Sequence, residues 1–146
     1  MRLSRLLPRR RNPHTVLITG IKSAVRAGSG PKIQKLLLTT RTQVGLTLIE
    51  AQELYLIIAG RVDNSMGHEE ASRRLTALAQ SMAHTPKPAT TWFSVENLAR
   101  TIGCFVASHE FSRHGFDALL ESDDPRDRFL QALHRRDLKM ASDAWT

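Results

Sequence analysis

The sequence predicts an all-α fold: a single small helical bundle of about five helices with a basic, partly flexible N-terminal arm. Three observations lead there. From residue 31 onward, apolar side chains recur at steps of three and four, the period of a helix with one face on a core. Caps, glycines and prolines cut that pattern into segments of ordinary helical length. Residues 15–21 alone read as a strand, and a lone strand has no partner with which to make a sheet. A chain of 146 residues is long enough for one domain with its own core. It divides here into a basic arm over residues 1–30 and a helical bundle over residues 31–146.

The elements follow in order. Pro31 comes after the break Gly28-Ser29-Gly30 and suits the first helical position, with Ile33, Leu36, Leu37 and Leu38 at helix spacing until Gly45. Thr47 and Glu50 have capping-box spacing, each side chain satisfying the other's orphan amide, and Ala51, Leu54, Tyr55, Ile58 and Val62 mark one face of the helix that follows. After the turn Asp63-Asn64-Ser65-Met66-Gly67, Glu69 and Glu70 fall where a helix dipole favours negative charge, and Ala71, Leu75, Leu78 and Met82 make the apolar face. Pro86 and Pro88 end that helix and leave residues 84–91 as a linker. Ser94 is a good N-cap for a fourth helix through Val95, Leu98, Ile102, Phe105 and Val106, which Gly115 is placed to stop. Asp124, Pro125 and Asp127 open a fifth, with Phe129, Leu130, Leu133 and Met140 on its apolar side and Trp145 to pin its end.

Charge is distributed unevenly along this pattern. Residues 1–49 hold ten basic side chains and no acidic one, whereas residues 50–146 hold 11 basic against 14 acidic, so the net charge of +7 is a local property. Clustered cations gain by releasing counterions from phosphates, which points to a polyanion as partner. The candidate nucleic-acid-binding residues are Arg2, Arg5, Arg9, Arg10, Arg11, Lys22, Arg26, Lys32, Lys35 and Arg41, with Arg73 and Arg74 assisting if their helix face is near. Aromatic residues are few and do not interleave with the arginines, which favours contact with RNA or DNA backbone over base stacking. The first eleven residues also have the composition of an organelle transit peptide, while Pro8 and Pro13 argue against a continuous helix there. A single cysteine, Cys104, makes no internal disulfide, so a reducing cytoplasm is the simplest expectation. No apolar run approaches the ~20 residues of a membrane span. Neither a membrane nor a small-molecule substrate is expected as partner, and no cofactor or metal.

Several constellations resemble chemical motifs and fail on spacing. Gly20, Gly28 and Gly30 do not make the dinucleotide-binding pattern, and Gly30-Pro31-Lys32 sets a rigid proline where a phosphate loop must wrap. His109 and His114 stand five apart, about 140° around a helix and not on one face, and Cys104 is misaligned with His109 in the same way. Asp123, Asp124 and Asp127 match the aspartate spacing of magnesium-dependent prenyl-diphosphate enzymes, but no second acidic cluster accompanies them and helix capping accounts for all three. An enzyme is therefore not expected.

Residues 94–119 resemble a helix-turn-helix DNA reader: Leu98 and Ala99 precede the turn glycine, Gly103, at the family's spacing. The resemblance implies a recognition helix presenting Ser112, Arg113 and His114 to base edges or phosphates. It departs where the family wants an apolar residue six after the glycine, because His109 stands there. One uninterrupted helix is an equal reading of this stretch. In profile, without a residue motif, a small basic helical protein of this size is similar to the small subunits of RNA-guided CRISPR interference complexes. That likeness implies a nucleoprotein subunit with other protein subunits as neighbours. A DNA-binding regulator using residues 94–119 and an assembly factor with a basic arm are the alternatives.

Overall fold

The computed structural model describes residues 12–121. Every regular element in that span is a helix: α1 Pro13–Ala27, α2 Gly30–Val44, α3 Leu48–Val62, α4 His68–Met82, α5 Ala89–Thr101 and α6 Phe105–Glu121. The fold is all-α as expected, with six helices among the described residues. The helix expected from Asp124 onward lies outside them.

Residues 15–21 are helical and not a strand. Their β-branched residues suggested extended chain, but Leu17, Ile21 and Ala24 are fully buried at steps of four and three, while Thr15, Thr19 and Ser23 face outward. Asn12 caps the helix, its Oδ1 accepting from the His14 N–H at 2.9 Å, and Pro13 takes the first position. Gly28, at φ 65°, ends it: its N–H donates to Val25 O and the next N–H, of Ser29, to Ala24 O. The boundary expected at residue 30 thus falls inside the packed body. Residues 13–30 belong to the bundle, and residues 1–11 of the expected arm lie outside the described residues.

Helices α2 to α4 follow the sequence closely. Ser29 caps α2 and Gly45, at φ 85°, closes it. At α3 the Thr47–Glu50 capping box is present in both directions, with Thr47 N to Glu50 Oε1 at 2.8 Å and Glu50 N to Thr47 Oγ1 at 3.2 Å. In α4, Ala71, Leu75, Leu78 and Met82 are buried as a stripe. The structure adds a tie that spacing does not reveal. Lys87, in the linker before α5, donates from Nζ to Glu50 Oε1 at 2.8 Å and to Gly45 O at 3.3 Å, and the two paired side chains are 5% and 8% exposed. Thr91 Oγ1 donates to Val44 O at 2.7 Å beside it.

Two expectations about the later helices are corrected. Helix α5 starts at Ala89, after Pro88, so Ser94 is not its cap; Ser94 is buried inside the helix with its Oγ 2.7 Å from His14 Nδ1 of α1. Gly115 does not stop α6. It lies within that helix because a Cβ there would come 2.6 Å from the Phe93 ring, so its absence lets α5 and α6 approach closely. The break comes instead at Gly103, φ 81°, where the N–H groups of Gly103 and Cys104 close the end of α5 on Arg100 O and Ala99 O.

Successive helices alternate in direction. Helix α1 packs on α2 and α5, α3 on α2 and α4, and α6 on α4 and α5. The His14–Ser94 contact sets the starts of α1 and α5 side by side, while their last turns line one cavity at the opposite pole. Trp92 and Phe93, early in α5, meet His114 and Phe116, late in α6, so this pair is antiparallel. One core, including Leu17, Leu37, Ile57, Leu75, Leu98 and Phe111, runs through all six.

Candidate nucleic-acid interface

The first hairpin carries cations that form no ion pair among the described residues. Arg26, Lys32 and Lys35 are exposed, and Lys22 and Arg41 half-buried, on α1 and α2. The ion pairs among the described residues engage Arg74, Lys87, Arg100 and Arg113 and none of these five. The reason lies in the sequence: with no acid before Glu50, neither helix has a carboxylate to place four residues from a cation. Residues 47–121 hold six basic against nine acidic side chains, so charge is segregated in space, with a positive α1–α2 hairpin on a mildly negative remainder.

Between these two helices runs a groove of about 590 Å³. A Cβ at Gly20 would lie 2.8 Å from Leu36 Cδ1, so the glycine lets the helices approach at its floor. Thr15, Thr19 and Ser23 recur at steps of four and make a row of hydroxyls along one wall; Lys32 stands on the other. Hydroxyls, an ammonium group and the Asn12 amide are the donors that phosphate contacts use. Arg26 turns elsewhere, lining the cavity at the far pole with Arg61. Arg26, Arg41, Arg61 and Arg100 all occupy last turns, where they also offset the negative ends of their helices.

The remaining expected residues are not gathered here. Arg2, Arg5, Arg9, Arg10 and Arg11 lie outside the described residues. Arg73 is exposed on α4, which packs on α3 and α6, a helix away from the hairpin. Arg74 is committed elsewhere, donating from Nε to Glu53 Oε1 at 2.7 Å across α3 and α4.

The helix-turn-helix resemblance breaks down in three dimensions. Trp92 and His114 lie eleven residues either side of Gly103, about 16 Å along each helix. Helices meeting at the open angle of a DNA reader would hold those rings roughly 15–25 Å apart, yet they stack with centroids 4.5 Å apart and 21° between planes. Helices α5 and α6 therefore form an antiparallel hairpin. Of the expected recognition residues, Ser112 is half-buried, His114 is held against Trp92, and Arg113 is exposed with its Nη2 2.7 Å from Glu110 Oε2. His109, the departure from the family pattern, is exposed.

Among the described residues no three His, Cys, Asp or Glu side chains converge as a metal site. Cys104 is buried, and the aspartates from Asp123 lie outside the described residues. The His14–Ser94 pair has the composition of a nucleophile and base, but Ser94 is only 4% exposed and closed to substrate. It is an interhelical tie, and burial lowers the His14 pKa below its ordinary value. No described helix is long and apolar enough to cross a membrane. Comparison with protein-family models, with curated proteins and with solved structures finds no match to this chain.

Proposed function

We propose that this chain is a non-enzymatic helical module that binds a nucleic-acid backbone without reading its sequence, through the α1–α2 hairpin and the arginines of residues 2–11. The observation that carries the reading is the segregation of charge: five cations on one hairpin, none ion-paired among the described residues, beside a hydroxyl-lined groove. Backbone phosphates suit such a surface, since ammonium, guanidinium and hydroxyl groups all donate and the hairpin bears no carboxylate to repel them. Within this reading the protein works in the cytoplasm as a small subunit of a nucleoprotein assembly, and the acidic remainder faces protein neighbours.

The test is a fluorescence-anisotropy titration of the full chain with labelled RNA and DNA of unrelated sequences across a salt series. If six to ten charges meet phosphates, affinity falls roughly a thousand-fold between about 50 and 200 mM salt, alike for every sequence. Affinity indifferent to salt refutes the proposal. The double substitution Lys32→Ala, Lys35→Ala weakens binding to all sequences and lowers the salt slope by about two.

A further inference from the structure

One face of α6 takes no part in the hairpin interface. Phe105, His109, Ser112, Phe116 and Leu120 follow one another at steps of four, three, four and four, which sets them in one row along the helix. Phe105 and Leu120, at the two ends of the row, are each 58% exposed. Phe116 is half-buried, its ring edge-on to Phe93 of α5 with centroids 5.1 Å apart. Isolated exposed apolar residues are ordinary on a surface, whereas aligned ones mark a contact face.

The chain carries a matching row just beyond this helix. Leu120 stands two residues before Ser122-Asp123-Asp124-Pro125, where Asp124 suits a cap and Pro125 the first position of the helix expected there. Phe129, Leu133, Arg136 and Met140 repeat the steps of four, three and four. Two helices joined by so short a connection pack antiparallel, and residues equidistant from the turn then stand opposite each other. With the turn centred between Ser122 and Asp123, Phe129 falls opposite Phe116, Leu133 opposite Ser112 and Met140 opposite Phe105. Arg136, the charged residue of the second row, falls opposite His109, which is exposed. Residues 122–146 hold five acidic and five basic side chains, so no net charge opposes the contact.

We propose that residues 124–141 dock on this face of α6 as a further antiparallel helix, with Phe129, Leu133 and Met140 covering the row from Phe116 to Phe105. The occupant of the face is thus a segment of the same chain, and its docking is independent of any nucleic acid.

The experiment is disulfide trapping in the full chain, with the buried Cys104 left in place. Ser112→Cys combined with Leu133→Cys is expected to close an intramolecular bond on mild oxidation with diamide, read by mass spectrometry as a linked pair of tryptic peptides. Ser112→Cys combined with Met140→Cys, about 10 Å out of register, should close about tenfold or more slowly. The unsubstituted protein gives a second reading: a nuclear Overhauser contact between the Met140 methyl and the Phe105 ring, at a concentration where the chain is monomeric. Equal trapping of the two pairs, trapping of neither, or absence of the Met140–Phe105 contact overturns the docking. A bond or contact that forms only between two copies overturns it as well, and makes a second molecule the occupant.

Discussion

Glu50 does two jobs with one oxygen. Its Oε1 accepts from the Thr47 N–H at the start of α3 and from Lys87 Nζ, 37 residues later in the chain. Removing the lysine leaves a buried carboxylate without its cation, so Lys87→Ala is expected to cost about 3–5 kcal/mol in urea unfolding. The pair Lys87→Met with Glu50→Gln recovers much of that loss; if single and double variants unfold at the same urea concentration, the ion pair does not hold the linker. His14 supplies a pH test. Its folded-state pKa lies below the ordinary 6.5, so the unfolded chain binds the proton more readily. Its contribution is complete above that value and is lost as pH falls through the folded-state pKa. Thermal melts should show a decline in Tm from about pH 7 to 5 that His14→Gln flattens; parallel declines would remove His14 from the account.

At the scale of elements, the two left-handed glycines that close α2 and α5 are not equivalent. A Cβ at Gly45 would sit 2.5 Å from Thr91 Oγ1, whereas at Gly103 it would meet nothing within 4 Å. Both positions have positive φ. Gly103→Ala should therefore cost about 1–2 kcal/mol from backbone strain alone, and Gly45→Ala about 1 kcal/mol more, because it also displaces the Thr91 hydrogen bond. Calorimetry that ranks the two in the opposite order would contradict these packing environments. The same contrast explains what was legible beforehand. The Thr47–Glu50 box and the stripe of α4 involve partners three or four residues apart and show in the sequence. Helix α1 does not, because its β-branched residues and Gly20 argue locally for a strand, and packing against α2 and α5 overrides them. Ser94 reads as a cap because its partner, the half-buried His14, stands 80 positions away. The charge of the α1–α2 hairpin is plain from composition; its separation from Arg73 and Arg74, and the placing of Arg26 and Arg61 on the wall of one cavity, depend on tertiary structure.

The whole molecule changes what a truncation should do. Deleting residues 1–11 leaves the Asn12 cap of α1 in place. Deleting residues 1–30 removes α1 with the fully buried Leu17, Ile21 and Ala24, and should abolish the cooperative melt followed by circular dichroism. If the shorter protein melts cooperatively, α1 is an appendage after all. The alternation of the helices has one more result. His14 touches Ser94, and Glu121 shares a cavity wall with Pro88 and Ala89, so the chain enters and leaves the described body at the same pole. The Arg26–Arg61 cavity lies at the other, about 22 Å away along a fifteen-residue helix. A circular permutant of residues 12–121 is thereby expected to need only a linker that stays at one pole, between Glu121 and Asn12.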